Sequence, residues 1–140
     1  MNRIVILYAD GACSGNGTAS ARGGWAAVLV DCITKDKKTI SGKLEGIQTN
    51  QRAEITAVIK GLEALKYPCQ VLVYSDSLYV ISTMRDGWKM HANLDLWKIL
   101  NNLSTKHKVV WNHVKGHSNN KIIDECDRLA VIETHKKEFV

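Results

Sequence analysis

RIVILYAD (residues 3–10) and QVLVYSD (residues 70–76) are two short apolar runs that alternate with the period of a β-strand, and each closes on an aspartate. Ile4, Ile6, Tyr8 and Asp10 share one phase of the first run; Leu72, Tyr74 and Asp76 share one phase of the second. If the two are parallel neighbours, both carboxylates leave the sheet at one edge. Ligands of open α/β sheets bind outside the carboxyl ends of strands, so that edge is the place to look for a site.

Working outward, residues 25–30 and 38–43 read as further strands, antiparallel to the first, with the glycine-rich stretch 11–24 as a loop. Over residues 50–65, Ile55, Val58, Leu62 and Leu65 recur at helical spacing, with Thr49 or Asn50 as cap and Pro68 as the stop. Residues 77–85, 94–103 and 123–136 read as helices, and 109–114 as a last strand. Three strands followed by alternating helix and strand give an α/β protein, a mixed sheet carrying helices, expected as one domain over 1–140. Glu54 lies one turn before Val58, on the helical stripe that faces the sheet.

Each acid has an ordinary role when taken singly. An aspartate after a strand forms turns or caps, and a first-turn glutamate complements the helix dipole. The joint pattern is what points to chemistry: two in-phase aspartates with a glutamate on an apolar stripe. Spacing alone leaves Asp127, between Ile123 and Ala130, as a helix edge. Clustered carboxylates removed from water must protonate or recruit a cation, and an oxygen-only ligand set selects hard ions such as magnesium or manganese.

The chain has 140 residues, enough for a real core, and nineteen Lys and Arg against fourteen Asp and Glu leave a net charge of +5. A basic surplus beside an acidic site suits a polyanion binder, although it also serves solubility. Cys13, Cys32, Cys69 and Cys126 form no CxxC pair, so neither a zinc ribbon nor a redox motif is readable and reduced thiols are expected. Residues 4–7 follow Met1 without a charged leader, and no apolar run reaches membrane length, so a cytoplasmic protein without membrane contact is expected. Gly15-Asn16-Gly17 lacks the third glycine and following helix of a dinucleotide loop, and His113 and His117 lack the upstream cysteine pair of a zinc finger.

Segments 8–17 (YADGACSGNG), 49–65 (TNQRAEITAVIKGLEAL), 74–80 (YSDSLYV), 95–97 (DLW) and 114–130 (VKGHSNNKIIDECDRLA) together resemble type 1 ribonuclease H, in order and over nearly the whole chain. The resemblance implies the ribonuclease H-like fold, a five-stranded mixed sheet in the order 3-2-1-4-5 with flanking helices. It implies Asp10, Glu54, Asp76 and Asp127 as catalytic metal ligands and His117 as a mobile-loop histidine aiding proton transfer or product release. The implied reaction hydrolyses the RNA strand of an RNA/DNA hybrid with two Mg2+ ions about 4 Å apart, Mn2+ substituting, and leaves 5′-phosphate and 3′-hydroxyl ends. Cys13, Ser14, Asn16, Asn50 and Gln51 match positions on the RNA side or lining the minor groove, where the 2′-OH is read, and Thr49 matches a DNA phosphate contact. A monomer without an obligate protein partner is the default.

Two departures stand out. Only seventeen residues separate Tyr79 from Trp97, where many bacterial members insert a helix and a Lys-rich protrusion; Trp88, Lys89 and His91 are the remnant. Weaker hybrid affinity and a smaller salt dependence are expected. Ile123-Asp124 stands where many relatives have Asn-Glu, which bears on how Asp127 is presented. The competing functions are a non-catalytic nucleic-acid module, disfavoured by retention of all four acids, and a nuclease acting on DNA junctions or double-stranded RNA.

Overall fold

The computed structural model describes residues 3–115 and 120–136. Its elements run β1 (Ile4–Ser14), β2 (Arg22–Asp31), β3 (Lys37–Lys43), α1 (Asn50–Glu63), β4 (Gln70–Ser75), α2 (Leu78–Asp86), α3 (Leu94–Ser104), β5 (Lys108–His113) and α4 (Lys121–His135). The strands form one sheet in the order β3-β2-β1-β4-β5. β1 and β2 pair antiparallel, as do β2 and β3, whereas β1 with β4 and β4 with β5 are parallel. This is the mixed 3-2-1-4-5 sheet that the resemblance implied.

Alternation along β1 divides the protein into two layers. Val5, Leu7 and Ala9, with Trp25, Ala27 and Leu29 of β2 and Val71 and Val73 of β4, face the core shared with α1, α2 and α3. Ile55, Val58 and Leu62 of α1 are almost completely removed from water there, each contributing roughly 1.5–3 kcal/mol. On the opposite face Ala26 and Val28 pack beneath Cys126 and Ala130 of α4. The sheet is therefore held between helices, with its carboxyl edge left open.

Only residues 15–21 of the stretch 11–24 form a turn, because β1 runs on to Ser14 and β2 starts at Arg22. Two glycines there serve close approach. A Cβ on Gly11 would lie 2.3 Å from the Ala53 carbonyl carbon of α1, and one on Gly24 would lie 2.3 Å from the Ala130 carbonyl oxygen of α4. Each helix thus rests on a bare patch of strand. Asp10 consequently sits inside β1 and not at its end, held from both sides. Gly11→Ala is expected to cost about 3 kcal/mol, since the colliding atoms are backbone and cannot rotate away; chemical denaturation measures it. It should also lower activity by pushing Glu54 out of place.

The helix boundaries differ slightly from the pattern-based ones. Thr49 caps α1 by accepting from the Arg52 N–H, and the helix ends at Glu63, leaving Leu65 beyond it yet still packed on the core. α4 begins two residues earlier than expected because the Asn120 side chain accepts from the Ile122 and Ile123 N–H groups. Among the described residues no helix is long and apolar enough to cross a membrane.

Candidate active site

Parallel register sets Tyr8 beside Tyr74 and Ala9 beside Ser75, so Asp10 and Asp76 leave the two central strands as neighbours. Behind them the Tyr8 and Tyr74 rings stack with centroids 5.5 Å apart, a fixed apolar floor. Asp10 is buried. Burial, then repulsion from Asp76 and from Asp127 on α4, push its carboxyl up to about 9, while the Gly11 N–H works weakly the other way. Asp10 Oδ2 has no hydrogen-bond donor. That oxygen needs either a proton shared with Asp76 or a cation.

Glu54 reaches the same edge from the start of the second turn of α1. Asn50 Nδ2 donates to its Oε1 at 3.0 Å and Ser77 Oγ donates to its Oε2 at 2.5 Å. Burial raises its pKa and Asp76 adds to the rise, against which these two donors favour the ionised form. Ser77 also caps α2 by accepting from the Val80 N–H. One hydroxyl therefore fixes both a helix start and a carboxylate. The ordinary cap role that the sequence offers for Asp76 falls instead to Ser77, the residue after it. We expect Ser77→Ala to weaken divalent-metal affinity roughly 10- to 100-fold with a smaller loss of stability, measured by metal titration and melting.

The structure thus brings Asp10, Glu54, Asp76 and Asp127 to one edge. Asp127 stands exposed on α4, near enough to raise the Asp10 pKa. Among the described residues no three His, Cys, Asp or Glu side chains form a tight ready-made ligand set. The donor chemistry nevertheless fits a hard divalent ion: oxygen-only ligands, mutual repulsion and one buried oxygen lacking a donor.

The candidate substrate residues lie beside this edge. Asn16 Oδ1 accepts from the Asn50 N–H at 3.1 Å, tying the β1–β2 turn to the start of α1. Ser14 and Gln51 are exposed, and Cys13 and Thr49 half-buried. His117 lies outside the described residues. Sequence reading missed Arg52, which donates to both Asp95 carboxylate oxygens at 2.9 and 2.7 Å and to Asn93 Oδ1 at 3.3 Å, while Asn93 Nδ2 donates to the Tyr79 hydroxyl at 3.1 Å. This network fastens α3 to α1 just below the candidate substrate residues. A separation of 43 residues gave it no local signal.

Comparison with known proteins agrees with this architecture. The RNase H family model matches residues 2–134. Ribonuclease H from Caldanaerobacter subterraneus subsp. tengcongensis is 46% identical, covering 98% of this chain and 96% of the relative. That alignment spans 153 positions against 140 residues here, so the relative carries residues this chain lacks. Among solved structures, LC9-RNase H1, a type 1 RNase H with the type 2 active-site motif, superposes with a TM-score of 0.80 at 24% identity, covering 96% of this chain and 73% of the other. LC11-RNase H1, from a compost metagenome and solved in complex with an RNA/DNA hybrid, gives 0.77 at 21% identity, with 93% and 96% covered. On the family match and the identity over nearly its full length, this chain belongs to the ribonuclease H family, metal-dependent nucleases that cleave the RNA strand of RNA/DNA hybrids.

Proposed function

We propose that the chain is a compact type 1 ribonuclease H, a single catalytic domain over residues 1–140 that works as a cytoplasmic monomer. It hydrolyses the RNA strand of hybrids and leaves 5′-phosphate and 3′-hydroxyl ends. The observation that carries this reading is the buried, donor-less Asp10 Oδ2 close to Asp76 and Asp127 at the carboxyl edge of the central strands. Asp10, Glu54, Asp76 and Asp127 hold two Mg2+ ions, with Mn2+ substituting. Bound there, the ions supply Lewis acidity that favours ionisation of water and offsets charge on the scissile phosphate.

The chain's own groups do the rest. The stacked tyrosines and the two glycine contacts keep the acids from spreading. Asn50 and Ser77 keep the Glu54 carboxylate aimed at the edge. Asn16, Asn50 and Gln51, with Cys13 and Ser14, read the 2′-hydroxyls, and Thr49 at the α1 N-terminus meets a DNA phosphate. His117 exchanges protons or assists product release, so His117→Ala should slow turnover; a wild-type rate removes that role.

The structure of LC11-RNase H1 with a hybrid supports the substrate class. The test is a matched set of labelled duplexes, one hybrid, one DNA and one RNA, followed by end analysis. Cleavage confined to the RNA of the hybrid, with 5′-phosphate ends, is expected. Equal cutting of duplex RNA or DNA contradicts the assignment.

A further inference from the structure

A cleft of about 1030 Å3 opens where β2 starts and β3 ends, its lining containing none of the four carboxylates, and Ser14 stands on its wall. Arg22, Lys43, Lys60 and Lys136 line it, against the carboxylates of Glu45 and Glu133. Glu133 is buried and already engaged: Lys136 Nζ lies 2.6 Å from its Oε1, and Ser41 Oγ donates to it at 3.0 Å. Lys60 Nζ is held 5.8 Å from the centroid of the Trp25 ring, inside the cleft. Among the described residues, Arg22 and Lys43 have no carboxylate partner. The cleft is left with uncompensated positive charge.

Resting on the function proposed above, we propose that this cleft is a second contact for the substrate backbone, in which Arg22 and Lys43 bind phosphates of the hybrid beyond the scissile position. Position supports phosphate over an acidic protein segment. The cleft meets the candidate RNA-side residues at Ser14, four residues along β1 from Asp10. That is about 13 Å of strand, or about four phosphates at the 3.4 Å charge spacing of one strand. Part of the chain's basic charge lies here, in a chain where only seventeen residues separate Tyr79 from Trp97 and leave no room for a protruding basic loop. The compact form keeps an electrostatic grip at the opposite end of its substrate face.

The test compares wild type with the double variant Arg22→Ala, Lys43→Ala on two hybrids, one long and one ending within three base pairs of the cleavage site on the Ser14 side. On the long hybrid KM should rise, and the slope of log KM against log salt should shrink by about 1.8, two contacts at about 0.9 each. kcat on both hybrids and KM on the short one should stay at wild-type values. The charge-preserving variant Arg22→Lys, Lys43→Arg should restore the long-hybrid KM, and a melting curve checks that each variant folds. An unchanged salt slope, or equal loss on both hybrids, overturns the cleft assignment. Failure of wild type to cut either hybrid instead overturns the functional reading beneath it.

Discussion

Asp10→Asn is expected to lower kcat on an RNA/DNA hybrid by about three orders of magnitude or more, with the fold intact. Asparagine keeps the shape of the side chain but cannot supply charge at the oxygen that lacks a donor. Asp76 and Asp127 would then face a neutral neighbour, and a cation at this edge would lose its most enclosed ligand. The same substitution has an opposite effect on stability. In metal-free protein the new amide can donate to Asp76 and removes the repulsion that raises the Asp10 pKa to about 9. The variant should therefore melt above wild type near pH 9 without metal, while being close to inactive with it. A residue with only a structural role would lose activity and stability together.

The second large effect is on stability against pH. Folded Asp10 holds its proton up to about pH 9, whereas the unfolded chain releases it near the ordinary value of 3.8. Raised folded pKa values give stability that is complete below the unfolded value and declines as pH climbs to the folded one. Glu54 shifts in the same direction. Metal-free protein should thus lose melting temperature steadily between about pH 5 and pH 9. A saturating divalent cation replaces the proton, so the decline should vanish, with about one proton released per chain on binding at pH 7. Calorimetry in two buffers of different ionisation enthalpy measures that release. A pH-independent melting point without metal would mean the acids do not interact as described. The lowered carboxyls of Asp31, Asp86 and Asp95 act at the acid end, where protonation removes their pairing, and leave this window untouched.

The central strands were legible because a buried parallel pair must alternate, and Asp10 and Asp76 shared a phase that the register then placed side by side. Glu54 was legible from the apolar stripe of α1. The antiparallel β1–β2 pairing was legible but its full length was not, because glycine reads as a turn along the chain. Whether Gly11 and Gly24 instead admit a helix backbone is decided by partners some 40 and 100 residues away. Asn50 to Glu54 is an i,i+4 pair and could have been anticipated; Ser77 to Glu54, 23 residues apart, could not. Asp127 came from the resemblance alone, since helix spacing does not distinguish it from a solvated edge. Its influence on Asp10 shows which way that part of α4 faces. The expected grip of the substrate by exposed polar residues left no pattern of its own, because turns and caps use the same side chains.

Magnesium dependence on a single substrate tests the account most directly. Wild-type protein is incubated with a hybrid labelled on its RNA strand while free Mg2+ is raised from chelated zero to millimolar levels, beside Asp10→Asn. Cleavage of the RNA that is absent in chelator, appears as the ion saturates and is missing in the variant is the predicted result. RNA that survives intact in ample magnesium, or is cut equally in chelator, would contradict the claim that these carboxylates work by holding divalent metal.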